Sequence, residues 1–176
     1  VILEDPIGQS GEIQRGEGNE KALAECPDVK ILERQTANWS RAEAQSLMEN
    51  WLTSHGNDIR GVIAQNDEMA LGAIEAIRAA SMDVNNFAIG GVDGVTDALN
   101  AVKEGTMDSI LQDGEAQALG AIDVAIKAVR PDYEPMSGIW EQYPDMPWNN
   151  GADSEYNVPW TPVTAENVDA LLATRQ

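Results

Sequence analysis

Gly61-Val62-Ile63-Ala64-Gln65-Asn66-Asp67-Glu68-Met69-Ala70-Leu71-Gly72-Ala73-Ile74-Glu75-Ala76-Ile77 compresses the architecture into one stretch. Gly61–Gln65 is a short, nearly unbroken apolar run, too short for a helix and typical of a strand inside a covered sheet. Asn66 and Asp67 are residues that stop a strand and cap a helix. Behind them Ala70, Ala73, Ile74 and Ile77 recur at i, i+3, i+4 and i+7, the stripe of an amphipathic helix. The segment therefore reads as strand, loop, helix.

The same unit recurs on both sides. Further strand candidates are Val1–Leu3, Val29–Leu32, Phe87–Val92 and Asp108–Leu111. Their spacing suits βα units and is too long for hairpins. Two-sided burial accounts for their apolar character. Upstream, Ser40-Arg41-Ala42-Glu43 has the form of a capping box, in which the Ser hydroxyl and Glu carboxylate each take a free backbone N–H. Ala44, Leu47, Met48, Trp51 and Leu52 then make one stripe, and Gly56 ends that helix. Downstream, Val95, Ala98, Leu99 and Val102 form the next stripe, closed by Gly105. The first helix is weaker, with Ile13, Gly16, Glu20, Leu23 and Ala24 inward. Five strands alternating with helices predict an α/β fold: a doubly wound, parallel, five-stranded sheet with helices on both faces.

Beyond Gln112 the organisation changes. Leu119, Ile122, Ile126 and Val129 mark one more helix. Residues 131–162 then hold six of the eight prolines, three of the five tryptophans and all three tyrosines, which excludes regular helix. A short terminal helix follows, with Thr164 as N-cap and a Val163/Val168 staple.

Composition narrows the function. With 176 residues and 43% hydrophobic content the chain can build a sizeable core. Its 30 acidic against 11 basic residues give a net charge of −19 and no Lys/Arg cluster, which argues against nucleic acid or an anionic membrane as a partner. No apolar run is long enough to cross a bilayer, and no signal-peptide segment stands at the start. The opening strand, without Met, has the look of a chain that has lost something upstream. Cys26 is the single cysteine; it forms no internal disulfide and is expected as a buried thiol. His55, at a helix end before Gly56, is expected in a surface or capping role.

In an open parallel sheet, ligands bind beyond the carboxyl ends of the strands. Past the five strands come Arg15, Trp39, Asn66, Asp93 and Gln112 in turn. A guanidinium, an indole, two amides and a carboxylate suit a neutral polyhydroxylated ligand. Amides donate and accept together, charged groups bracket adjacent hydroxyls, and an aromatic face covers sugar C–H groups. Each has a structural alternative: Asn66 or Asp67 as helix cap, Asp93 as turn residue, Trp39 as core, Arg15 as a solvated helix residue, Gln112 as a loop cap. Their shared position at one end of the sheet favours the binding role. No phosphate loop, no nucleophile–base pair and no calcium-loop spacing among Asp145, Asp153 and Glu155 compete with it, so neither enzyme activity, metal nor cofactor is expected.

These residues also carry a resemblance. Gly8-Gln9-Ser10 with Arg15-Gly16-Glu17-Gly18, Gln35 to Trp39, Ala64 to Ala73, Gly90 to Gly94 and Ile110-Leu111-Gln112 resemble the ribose-binding-protein-like branch of the type I periplasmic binding proteins, over residues 1 to about 129. The resemblance implies the C-terminal lobe of a sugar-binding protein, with Arg15, Asn66, Asp93 and Gln112 as hydrogen-bonding ligands and Trp39 stacking on the sugar. It further implies a periplasmic receptor of an ABC importer, with a sugar or sugar alcohol and the transporter permease as partners. Most of the other lobe is absent, so another chain or the missing lobe is expected to cover the exposed half. The implied organisation is residues 1–112 as the C-terminal lobe, 113–136 as a returning helix of the other lobe, and 137–176 as a hinge-crossing tail. The alternative is the effector-sensing domain of a LacI-type repressor, which shares the Asn-Asp-x-Met-Ala-Leu-Gly segment.

Overall fold

A computed structural model describes residues 1–153 and 155–175. Its central sheet has the order β2-β1-β3-β4-β5-β6. The strands are β1 (Ile2–Glu4), β2 (Arg34–Thr36), β3 (Gly61–Ala64), β4 (Ala88–Val92), β5 (Asp108–Leu111) and β6 (Thr161–Pro162). The pairs among β1 to β5 are all parallel, with Ile2 opposite Arg34 and Ile63, Val62 opposite Ile89, and Gly91 opposite Ser109. The expected five-stranded parallel sheet is present, and the tail adds a sixth strand at its edge.

The connections are α1 (Ser10–Ala24), α2 (Arg41–His55), α3 (Asp67–Ala79) and α4 (Thr96–Lys103). The chain steps one way from β1 to β2 and the other way for every later crossover. Right-handed crossovers therefore put α1 on one face and α2, α3 and α4 on the other. The second face is the well-packed one. Met48, Trp51, Val62, Met69, Ile74, Ile77, Ile89 and Ala98 belong to one buried cluster there. Gly72 lets α3 approach α2: a Cβ at this position would lie 2.2 Å from the Arg41 carbonyl oxygen.

Several sequence expectations need correction. The second strand is Arg34–Thr36, not Val29–Leu32, and Val29 is exposed. It is an edge strand paired only to β1, so nothing requires an apolar run. Burial is not two-sided along β3, β4 and β5. Val62, Ile89 and Ser109 are buried, while Ile63 and Gly90 are half-buried and Ile110 is exposed. The stripe assigned to α1 is not realised: only Gly16 is buried, and Ile13, Glu20 and Ala24 are exposed. Cys26, in the turn that follows this loosely held helix, is exposed. Ser40 caps α2 by accepting from the Glu43 N–H at 3.2 Å, but the Glu43 carboxylate takes the Asn38 amide and not the Ser40 N–H. His55 closes α2 with its Nε2 2.8 Å from Glu33 Oε1.

The chain divides into two compact units. The first comprises Val1–Ile110 and the chain from Pro162 onward; the second is Leu111–Thr161. In the first, α7 (Val168–Ala173) packs on α4, and Lys103 Nζ lies 2.7 Å from Asp169 Oδ1. Thr164 is not the side-chain cap of α7: its own N–H donates to Asn167 Oδ1 at 2.8 Å, although Val163 and Val168 are both buried. The second unit is built on α5 (Gly114–Val129) and the short α6 (Ile139–Gln142). The apolar stripe Leu119, Ile122 and Val129 of α5 is exposed, while Ala116, Gly120 and Asp123 form its buried side.

Candidate functional site

The loops past β1, β2, β3 and β4 converge in the first unit. Arg15 projects from the second turn of α1 and is the hub of the cluster. One guanidinium nitrogen lies 3.4 Å from Asp5 Oδ2, the other 3.5 Å from Asp93 Oδ1, and the Gln65 carbonyl accepts a further short bond. The guanidinium carbon lies 5.3 Å from the centre of the Trp39 ring, a cation–π distance. Trp39 is half-buried against the core, and its indole N–H donates to Gln9 Oε1 at 3.1 Å. Arg15, Trp39 and Asp93 thus form one contact group.

Backbone geometry marks the same place. Asn38, Trp39 and Asp93 have φ of 52°, 64° and 122°, values that non-glycine residues adopt at a cost of about 1–3 kcal/mol each. Such conformations persist where the surroundings over-determine them. Here Asp67 supplies the constraint on the β4 loop. Its buried carboxylate accepts from the Gly94 N–H at 2.7 Å, the Val95 N–H at 3.1 Å and the Ser109 hydroxyl at 2.8 Å. Gly91 leaves the room this carboxylate needs, since a Cβ there would fall 2.4 Å from Asp67 Oδ1.

Asn66 is buried and caps α3, its Oδ1 accepting from the Met69 N–H at 2.9 Å. Its structural alternative is therefore realised, next to the Gln65 carbonyl that holds Arg15. Gln112 belongs to the second unit, where it lines a cavity of about 670 Å³ with Gly120, Val124, Trp140, Met146 and Trp160.

Three residues of the cluster escaped the sequence reading. Asp5 is fully buried at the end of β1, and Oδ1 of its carboxylate has no hydrogen-bond partner among the described residues. Gln65 is buried and ties three elements together: Oε1 accepts from the Asp5 N–H at 2.8 Å, and Nε2 donates to the Glu12 carbonyl at 3.2 Å. Asp67 was considered only as a helix cap. The signal for Asp5 and Gln65 was a polar side chain at the end of an apolar strand run.

Burial sets the electrostatics. It raises the Asp5 carboxyl to about 7 and the Asp93 carboxyl to about 6, against the opposing pull of Arg15. It also raises Asp67, against the three hydrogen bonds that favour the charged form. Carboxylates, a guanidinium and an indole side by side can bracket hydroxyls and cover a ring face. Among the described residues no group of three or more His, Cys, Asp or Glu is arranged to hold a metal ion. Among the described residues no helix is long and apolar enough to cross a membrane.

Comparison with known proteins identifies the family and the fold. A family model described as a periplasmic binding protein domain matches residues 1–131. A xylitol-binding protein of Mycolicibacterium smegmatis is 46% identical over 131 residues, covering 74% of this chain and 37% of the relative. An ABC transporter solute-binding protein from Bacillus halodurans, solved with bound myo-inositol, superimposes with a TM-score of 0.78 and 32% identity, over 98% of this chain and 53% of that one. A periplasmic solute-binding protein from Actinobacillus succinogenes with bound D-allose gives 0.78 and 33%, over 96% and 53%. The chain spans about half, or less, of the length of these relatives.

Proposed function

We propose, because the chain belongs to the periplasmic binding protein family, that it forms the ligand-gripping lobe of a solute receptor for an ABC importer of a sugar or sugar alcohol. The observation that carries this is the Arg15 hub, flanked by the Trp39 ring and the Asp93 carboxylate past the strand ends. Arg15 and Asp93 bracket neighbouring hydroxyls with charge-assisted bonds, and the exposed part of the Trp39 ring covers apolar C–H groups. Asn66, whose Oδ1 is taken by the cap of α3, completes the set as an amide donor.

The role is binding without catalysis. The family and the matched relatives are solute-binding proteins, which favours a receptor over the effector domain of a repressor. The receptor acts in the periplasm, closes two lobes on its ligand, and presents the closed form to the permease. Residues 1–112 act as the C-terminal lobe, 113–136 as a segment returning to the other lobe, and 137–176 as the tail crossing the hinge.

Native mass spectrometry of the purified chain tests this reading. The expected result is an adduct of sugar or polyol mass with the wild type that is lost on denaturation and absent from Arg15→Ala. An adduct of equal occupancy in Arg15→Ala, or none with xylitol, myo-inositol or D-allose added, would overturn it.

A further inference from the structure

Asp5 sits behind Arg15, where no ligand reaches. Its side chain is fully buried at the end of β1. Gly11 of α1 closes over it: a Cβ at that position would lie 3.4 Å from Asp5 Oδ2 and 3.4 Å from the Trp39 ring. Oδ2 also lies 3.4 Å from the Arg15 guanidinium, and Oδ1 has no hydrogen-bond partner among the described residues. Gln65 fixes the surrounding backbone. Its Oε1 accepts from the Asp5 N–H at 2.8 Å, while its carbonyl takes a short bond from Arg15. Asp93 meets the same guanidinium through the second nitrogen, at 3.5 Å and with 34% of its side chain exposed.

Two carboxyls thus share one guanidinium, the inner one sealed and the outer one open. The charged groups acting on Asp5 are Arg15 and Glu12 of α1, Glu4 of β1 and Asp93 past β4; those acting on Asp93 are Arg15, Asp67 and Glu68. Sealed from water, with one oxygen unpartnered and three acids around it, Asp5 rests as the neutral acid. Its carboxyl, raised by burial to about 7, agrees with that state. Of the two carboxyls only Asp93 is then charged, and it forms a balanced pair with Arg15 at the ligand position. Ionised Asp5 changes the division, because attraction is stronger in the dry interior than at the partly exposed Asp93. The guanidinium is drawn back, and a ligand hydroxyl receives a weaker bond.

Resting on the reading of this cluster as the ligand site, we infer that Asp5 is a positioning residue whose proton sets the grip: the neutral acid leaves Arg15 forward for the ligand, and the ionised form withdraws it. Affinity for a neutral polyol therefore falls as pH rises through about 7. The sign of the linked proton follows. A ligand that holds Arg15 forward favours protonated Asp5, so binding near pH 7 takes up protons. Asp93, raised to about 6, is largely ionised from pH 7 upward and contributes little there.

The test is isothermal titration calorimetry of the whole chain with xylitol, myo-inositol and D-allose in turn, at pH 7 and pH 8.5, in two buffers of different ionisation enthalpy. A compound that binds is expected to do so about threefold more weakly at pH 8.5, and to bring proton uptake at pH 7. Asp5→Asn keeps the side-chain shape and the neutral state. Its affinity is expected to be the same at both pH values, with the proton uptake gone. Loss of a merely structural residue would instead weaken binding at both pH values and leave the pH dependence in place. Thermal unfolding of the variant confirms that it is folded. A wild-type affinity that does not fall between pH 7 and pH 8.5 would overturn this inference and leave the site reading standing. A fall of the same size in Asp5→Asn would overturn the role of Asp5. Binding of none of the three compounds at either pH would overturn the site reading together with the inference.

Discussion

The two units are held together by different means. In the first, α2, α3 and the buried strand face share one apolar cluster, with Met48, Met69, Ile74 and Ile77 almost completely buried. In the second, α5 buries only Ala116, Gly120 and Asp123, and side-chain hydrogen bonds take over. Asp123 accepts from the Tyr133 hydroxyl at 2.6 Å, the Trp140 indole at 2.8 Å and the Ser137 hydroxyl. Asp113 caps α5 through the Ala116 N–H at 3.0 Å and accepts from the Tyr143 hydroxyl at 2.6 Å. Trp140 packs at 4.7 Å from Trp148 and 5.1 Å from Tyr156. A tail too rich in proline for regular structure is thus ordered by aromatic side chains whose polar ends find two carboxylates. Apolar burial is non-directional and tolerant, whereas such a polar anchor fails when one partner goes.

That contrast can be broken at chosen positions. The largest effect is expected from Gly72→Ala in the first unit, where the added methyl meets backbone that cannot move without separating α2 from α3. A loss of about 3 kcal/mol in urea unfolding is expected. In the second unit, Asp123→Ala leaves the buried Tyr133 hydroxyl and the Trp140 indole without their acceptor. About 2–3 kcal/mol of local stability should go. Hydrogen exchange should accelerate across residues 133–148 and stay unchanged across α3.

Asp5→Asn should act in the opposite direction. The folded chain holds the Asp5 proton up to about pH 7, well above the ordinary carboxylate value. Its contribution to stability is therefore fully present below about pH 4 and lost as pH rises through 7. At pH 8 the variant should unfold later than the wild type, by on the order of 2 kcal/mol, and at pH 4 the two should coincide. The smallest change sharpens the picture of the first unit alone. Ser40→Ala removes the acceptor of the Glu43 N–H and should cost about 1 kcal/mol, measured by thermal unfolding.

The contrast also explains what was legible in the sequence. Helical stripes and caps identified α2, α3 and α4 because the residues that face the core there are apolar at regular spacing. The same reasoning misplaced the edge strand, since Val29–Leu32 looks more strand-like than Arg34-Gln35-Thr36, and pairing to β1 alone decides the matter. It also misjudged α1, whose stripe meets almost no core. At the site, Arg15, Trp39 and Asp93 were readable from their place after successive strands. Asp5, followed by Pro6, reads as an ordinary turn residue; only the fold brings it under a guanidinium ten positions away. The anchors Asp113 and Asp123 were likewise invisible, because their partners lie in a segment without periodicity.

The central claim is that the strand-end cluster of the first unit, and not the aromatic second unit, receives the ligand. The five tryptophan indole N–H signals test it directly, because Trp39 and Trp51 lie in the first unit and Trp140, Trp148 and Trp160 in the second. In a ¹⁵N-resolved titration with xylitol, the Trp39 signal should shift as its bond to Gln9 is disturbed, while those of Trp140, Trp148 and Trp160 stay in place. A titration that moves the second-unit signals and leaves Trp39 still would contradict the account.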